Sequence, residues 1–404
     1  MQDEAASRCA LRCAQWRLLL GAAAAEAPDA GRAAAVQARL TALLRDEFGL
    51  GELGLAVAGR WLRQLAADAR GLERARDWLL LQLNAGTRAE RRRALFDPWQ
   101  LGSPDLVPGL RARALWERPQ LPELTGLVEA AYGAVRAELE AARAQPVFQP
   151  YRAPNWVAPG RVAADGVGSE GHDAGAWDVC YLFLHNVDFA SNCALFPATA
   201  ALIKRVPRWY CHAFFSVLAP RTHVAKHNGP TNKKLRLHLP LVVPRGGHCG
   251  IRVGPERRTM VEGQCIVFDD SFEHEAWNEH PSESRVVLIL DVWHPDLSER
   301  EISLLRFLEK GKMNKAKKMC AHTFVDSDWN VKETAPPPEQ HLAGREPRRP
   351  GEPRQPGEPR QPGGEPSEPH QPDEASFVGN NFYALLDHTR KLARPLGPPP
   401  APAP

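Results

Sequence analysis

The sequence predicts an α+β protein in three parts: a helical N-terminal region, a domain of short β-strands spaced as in a sandwich or jelly roll, and an extended proline-rich tail. Three observations carry this reading. Apolar residues recur at helical spacing up to about residue 145; short β-prone runs punctuated by Gly and Pro follow from about 147 to 293; after 335 apolar residues give way to Pro, Gly and charge. The 404 residues are 43% hydrophobic and 25% charged, enough apolar mass for one large or two modest globular domains.

Residues 1–35 read as a flexible, low-complexity N-terminus. The run LLLGAAAA at 18–25 is too short to span a bilayer, and Asp3, Glu4 and Glu26 flank it, so neither a membrane span nor a signal peptide is expected. Arg8, Arg12 and Arg17 among many alanines have the flavour of an organellar transit peptide; the acidic residues argue against one. Between 36 and 145 helical spacing is carried by Val36, Leu40, Leu43 and Leu44, by Val57, Trp61, Leu62 and Leu65, and by Leu72, Ala75, Leu79 and Leu83. A further helix over 123–143 has Leu124, Leu127, Val128, Ala131, Val135 and Leu139 on one side, and Pro146 closes it.

The β-rich domain is placed at 146–300. Its predicted strands are 179–185, 208–220, 235–244, 250–253, 264–270 and 285–293. In LRLHLPLVV, Leu235, Leu237, Leu239 and Leu241 share one face, which puts Arg236 and His238 on the other. A buried cation there needs an anionic partner or a solvent-filled cavity. Residues 301–330 form a basic helical segment whose run EKGKMNKAKKMC is read as a solvated face. The tail at 331–404, with GEPRQP twice in tandem at 351–362, is expected to be disordered and polyproline-like, a linker or a ligand for a proline-recognising partner, with a short helix near 377–394.

A formal net charge of only +3 gives no reason to expect nucleic acid as a partner. Eight cysteines are scattered without a CxxC pair or zinc-like spacing, which favours a reducing compartment and a cytoplasmic location.

Two histidines stand where chemistry could sit. His227 ends a strand-like stretch, and His274 follows the strand QCIVFDD, so both could meet at one rim of a barrel. Spacing alone leaves structural and metal-ligating roles equally open. A non-haem iron site usually adds a carboxylate two residues after the first histidine; here that residue is Gly229. Arg285 begins the next strand, where its guanidinium could pair bidentately with a carboxylate co-substrate.

The segments RTHVAKHNGPTNKKLRLHLPLVVP, CGIRV, VEGQCIVFDDSFEHEAWNE and RVVLILDVWHPDLS, spread over about 175–298, resemble the aspartyl/asparaginyl β-hydroxylase family of Fe(II)- and 2-oxoglutarate-dependent dioxygenases. The resemblance implies a double-stranded β-helix, the cupin-like jelly roll, and a metal held by two histidines with glycine in the carboxylate position. It assigns His227 and His274 to Fe(II), Ser216 and Arg285 to the distal carboxylate of 2-oxoglutarate, His238 to its keto-acid end, and Lys234 and Arg236 to the substrate carboxylate. Lysine at 234 departs from the family's arginine. Asp270, four residues before His274, could supply negative charge through a hydrogen bond to metal-bound water, or simply cap a turn.

The implied reaction uses O2 and 2-oxoglutarate to hydroxylate the β-carbon of Asp or Asn in a polypeptide. The alternatives are the same chemistry on a lipid acyl chain or small molecule, and a non-catalytic binding module on the same fold. Secretory-pathway members carry a disulfide near SNCALFPATAAL; Cys193 matches its first half, but Ala200 stands at the second. Trp177, Trp277 and Trp293 read as core anchors and His294 as a packing residue, while His223 and His248 have no evident partners.

Overall fold

The computed structural model describes residues 71–83, 88–152, 170–185, 187–319 and 392–397, with short pieces between 38 and 58 and at 323–325 and 331–333. The expectations for residues 1–35, for the tandem GEPRQP repeat and for most of the proline-rich tail lie outside the described residues.

In chain order the N-terminal region contributes α1 (Glu73–Leu83) and α2 (Arg88–Leu95), then β1 (Leu115–Trp116), α3 (Pro122–Ala130) and α4 (Tyr132–Ala141). The single helix expected over 123–143 is broken at Ala131, whose N–H donates to the carbonyl of Val128, a tightened turn in place of a helical step. Both pieces still bury Leu124, Val128, Val135 and Leu139 in one cluster, so the apolar side is read correctly although the axis is not continuous.

The β domain follows: β2 (Gln149–Pro150), β3 (His172–Ala174), β4 (Trp177–Leu184), β5 (Val187–Asp188), α5 (Ala190–Leu195), α6 (Pro197–Arg205), β6 (Trp209–Leu218), β7 (Thr222–His227), β8 (Lys234–Val242), β9 (Cys249–Val253), β10 (Glu256–Thr259), β11 (Ile266–Phe268), β12 (His274–Asn278) and β13 (Arg285–Trp293), with α7 (Glu299–Met319) after it. The larger sheet has the order β1-β11-β8-β13-β6-β4-β2, and the smaller β10-β9-β12-β7-β3. From β6 to β13 the chain passes back and forth between the two sheets. The resulting neighbours, β11-β8-β13-β6 facing β10-β9-β12-β7, are the winding of a double-stranded β-helix.

Sequence reading missed β10 and β12 and the short strands β1, β2, β3 and β5, and it saw β7 only as a strand-like stretch ending at His227; for β7, β10 and β12 the cause is physical. THVAKH, ERRT and HEAWN are polar and short, with no run of β-branched residues; their neighbours, not their own propensity, make them strands.

Alternation along β8 positions the site. Leu235, Leu237, Leu239 and Leu241 point outward into a core shared with α3, α4 and α6, while Arg236 and His238 point into the barrel. Glu138 of α4 ties the helical layer together by accepting from the backbone N–H groups of Ala198 (2.6 Å) and Thr199 (2.9 Å) at the start of α6. The inner core holds Val179, Phe214, Leu218, Ile251, Phe268 and Ile289.

A third core joins α1 to α7 through Trp78, Leu79, Leu297, Ile302, Leu305 and Leu308. Buried Glu301 serves both helices. It accepts from Ser298 N in a capping arrangement on α7, and from Arg74 N and Ala75 N at the start of α1. At the far end, Arg394 and Phe148 exchange backbone hydrogen bonds (3.1 and 2.6 Å), and Arg394 pairs with Asp178 at 2.6 Å. Of the helix expected at 377–394 only 392–394 are among the described residues, and these are not helical.

His294, at the end of β13, has no exposed surface; its Nε2–H donates to the carbonyl of Arg111 (3.3 Å) and its Nδ1 accepts from Asp296 N (3.2 Å). Burial lowers its pKa to about 4. As pH falls below about 6.5 an unfolded chain gains a proton that the folded imidazole refuses, so this residue costs stability at up to about 1.4 kcal/mol per pH unit until pH nears 4. Urea titrations of the wild type and His294→Gln should therefore show a stability gap that narrows on acidification over that window. A gap independent of pH would contradict the assignment.

Candidate active site

β7 and β12 are antiparallel neighbours in the smaller sheet, with His227 directly opposite His274 and their rings 4.1 Å apart. An irregularity in register just after His274 bends the strand there. Each imidazole is oriented in the same way: Nδ1–H of His227 donates to the carbonyl of Ala225 (2.8 Å), and Nδ1–H of His274 to that of Phe272 (2.9 Å). That tautomer leaves Nε2 of both rings as the electron-pair donor. Burial lowers the pKa of both, so the rings are neutral at physiological pH, as metal ligation requires. Among the described residues no group of three or more His, Cys, Asp and Glu side chains is arranged to hold a metal.

The space beside Gly229 is filled. A Cβ on this residue would lie 2.6 Å from both Cγ and Oδ2 of Asp270 and 2.9 Å from its carbonyl oxygen, which already accepts from Gly229 N. Glycine is required here because the carboxylate of Asp270 occupies the volume that a side chain at 229 would take. Asp270 is completely buried. Its Oδ2 accepts from Lys234 Nζ at 2.6 Å and lies 3.3 Å from Arg236 Nη1, while its Oδ1 has no protein partner.

Lys234 and Arg236 are also bound to Asp291. Arg236 takes it bidentately at 2.8 and 2.9 Å, and Lys234 Nζ approaches it at 3.0 Å. Burial opposes the charges, yet Arg236 and Lys234 outweigh it and hold the Asp291 carboxyl well below the usual range. Lys234, read from the sequence as a substrate ligand, is only 1% exposed, its ammonium enclosed by two internal carboxylates. Arg236 keeps 19% of its side chain accessible. Asp291 was missed in the sequence, although an acid inside RVVLILDVW, a strand buried along its whole length, was the available signal.

Deeper in the larger sheet, His238, Ser216 and Arg285 lie on the inward face of β8, β6 and β13. Ser216 Oγ accepts from Trp177 Nε1 at 3.0 Å. This gives Trp177 a polar task beyond anchoring the core, and Tyr151 stacks on its ring at 3.7 Å. Arg285 is 2% exposed, with Nε and Nη1 lacking any partner, and burial lowers its pKa to about 10. Nδ1 of His238 is likewise buried without a partner, and burial, then Arg285 and Arg236, depress its pKa. A buried guanidinium with free donors, on the same inward face as an imidazole and a hydroxyl, fits a bound carboxylate.

His223, which had no evident partner in the sequence, lies between Asp173 and Glu275, its Nε2 3.1 Å from the latter.

Residues 129–295 match the family model described as aspartyl/asparaginyl beta-hydroxylase. The chain is 40% identical over 133 residues to the mouse aspartyl/asparaginyl beta-hydroxylase, covering 32% of this chain and 18% of that protein. It is 37% identical over 142 residues to human aspartate beta-hydroxylase domain-containing protein 2 (33% and 38% covered). It is 38% identical over 120 residues to the ornithine lipid ester-linked acyl 2-hydroxylase of Rhizobium tropici (30% and 42% covered). The matched stretch thus spans well under half the length of each of these relatives. Among solved structures, a 2OG-Fe(II) oxygenase family oxidoreductase from Burkholderia pseudomallei overlaps 40% of this chain and 81% of its own at 10% identity, with a TM-score of 0.27. With the motifs in order on a double-stranded β-helix, residues 129–295 are similar in sequence to the aspartyl/asparaginyl β-hydroxylase family.

Proposed function

We propose that the protein is an Fe(II)- and 2-oxoglutarate-dependent dioxygenase that hydroxylates the β-carbon of Asp or Asn in a polypeptide. The observation that carries this reading is the buried guanidinium of Arg285, with two N–H groups unpartnered, on the same barrel interior as two histidines whose Nε2 atoms are free to ligate. A structural core would not leave that arginine unsatisfied.

His227 and His274 would hold Fe(II) through Nε2; Arg285 with Ser216 would take the distal carboxylate of 2-oxoglutarate, and His238 would lie toward its keto-acid end. When bound, iron and 2-oxoglutarate activate O2 for hydroxylation of an unactivated carbon, with succinate and CO2 as co-products. The chain's own part is positional. The carbonyls of Ala225 and Phe272 fix the tautomers of the two ligands. Asp270, held by Lys234 and Arg236, keeps a carboxylate beside the pair at the corner that Gly229 leaves open, with Oδ1 available to accept a proton donor. Arg236, the more accessible cation, would contact the polar end of the substrate side chain.

The described thiols Cys180, Cys193, Cys211, Cys249 and Cys265 are all free, and Ala200 stands where a partner for Cys193 would be needed; both support a reducing, cytoplasmic location. Among the described residues no helix is long and apolar enough to cross a membrane. The similarity to an acyl 2-hydroxylase keeps lipid as the second reading of the substrate.

Purified protein supplied with Fe(II), 2-oxoglutarate and ascorbate should form succinate, a pool of Asp- and Asn-containing peptides should stimulate it, and His274→Ala should abolish it. Iron-dependent succinate without peptide stimulation would move the substrate to a lipid. Arg285→Gln should raise the KM for 2-oxoglutarate by about a hundredfold, since it removes one partner of a buried charge pair; an unchanged KM would remove Arg285 from the cosubstrate site.

Asp270→Asn should weaken iron binding about tenfold or more, read by titration under argon. Gly229→Ala should also weaken it and lower the melting temperature, because the new methyl group displaces Asp270. Wild-type iron affinity in both variants would confine Asp270 to a packing role.

A further inference from the structure

Beside the site, and N-terminal to the stretch that matches the family, lie α2 and the loop that follows it. α2 has the sequence RAERRRAL, and every residue from Ala89 to Leu95 is exposed except Arg92, which is half-buried. Arg92 fastens the helix to the loop that follows, donating to the carbonyls of Pro104 (3.0 Å), Leu101 (3.3 Å) and Ser103. That loop is in turn pinned to the metal rim. The carbonyl of Trp99 accepts from Asn228 Nδ2 (2.7 Å) and Glu273 N (2.8 Å), the residues next to His227 and His274, and Gln100 Nε2 donates to Asp269 (3.1 Å) and Ser271 (2.8 Å).

Despite these anchors, Trp99 is 40% exposed and Leu95 54%. The indole lies under Arg252, whose guanidinium, 5.5 Å from the ring, is already bound to Glu273 and Glu275. Arg91 and Arg93 are exposed with no ion pair among the described residues, and exposed Arg113 leads into Ala114, which lies with Trp99 over Gly254. The negative groups nearby are Glu90 on α2, Asp97, which accepts from Trp99 N, and Glu273 and Glu275, both bound to Arg252. Two exposed arginines without ion pairs, flanking Arg92 on the helix that leads into an exposed indole fastened to the histidine rim, match a ligand with carboxylates and one apolar side chain.

We propose that α2 and Trp99 form a docking surface for an acidic stretch of the polypeptide substrate, flanking the residue that enters the barrel. This rests on the polypeptide-hydroxylase reading and adds the substrate's charge to it. A lipid surface fits less well: α2 carries a single large apolar residue, Leu95, and so offers no apolar face to insert.

The test uses the full chain with Fe(II) and 2-oxoglutarate under argon, and the anisotropy of a short fluorescein-labelled peptide in which a central Asn is flanked by glutamates. The expected result is binding about tenfold tighter than to the glutamine counterpart, weakened by salt, lost by about tenfold in the double variant Arg91→Glu/Arg93→Glu, reduced in Trp99→Ala, and retained in Arg91→Lys/Arg93→Lys. Circular dichroism checks that each variant is folded. Equal affinity for the two peptides, or no effect of charge reversal, overturns the proposal. So does an arginine-dependent co-sedimentation with phosphatidylglycerol vesicles in place of peptide binding. Succinate formation in air, measured on the same preparation, separates the two levels: acidic-peptide binding without turnover keeps the docking surface and removes the oxygenase, and turnover without charge preference does the reverse.

Discussion

Four charged groups buried in the barrel, Lys234, Arg236, Asp270 and Asp291, have to neutralise one another before anything else in the site can be in place. Asp291 and Asp270 have no exposed surface and Lys234 almost none. Removing any one member would strand an opposite charge away from water, a cost of about 3–5 kcal/mol. The lysine has its own logic. A compact ammonium fits between Oδ2 of Asp270 and Oδ2 of Asp291, whereas the planar fork of Arg236 takes Asp291 bidentately from the opposite strand.

This cluster also connects the two sheets at the point where chemistry is expected. Lys234 and Arg236 belong to β8 and Asp291 to β13 in the larger sheet, while Asp270 lies in the turn leading to β12 of the smaller one. Holding Asp270 in that turn fills the volume beside Gly229 and so dictates the glycine. A carboxylate two residues after His227 would compete with Asp270 for the same space. The negative charge of the site thus comes from beside the two histidines and is shared with the protein's own cations, which leaves Arg236 as the cation with accessible surface.

The N-terminal helices do more than cover the barrel. Glu301 binds the start of α1 to α7, and Lys233, next to Lys234 in β8, pairs with Asp105 at 2.6 Å, so the helical layer and the charged strand share anchors. The loop carrying Trp99 is built into the rim by Asn228 and Gln100, which makes this region part of the mouth and not an appendage.

Much of this was legible in the sequence. Alternation in LRLHLPLVV set Arg236 and His238 on the barrel face, helical spacing identified the apolar sides of α1, α3 and α4, and motif order singled out His227 and His274, which face each other across two strands, and Arg285, which is buried at the start of β13. Of the two strands that carry the histidines, β12 was not legible and β7 was seen only as a strand-like stretch ending at His227, because HEAWN and THVAKH become strands through pairing with each other and with β9 and β3 on either side. Which carboxylate meets which cation was equally closed: Asp291 lies 55 residues from Arg236, and only the register of β13 on β8 sets them opposite. Local residue pattern decides faces and turns because it acts between neighbours in the chain. Pairing of buried charges, the space beside Gly229 and the accessibility of Trp99 depend on distances between remote segments, and these exist only once both sheets have closed.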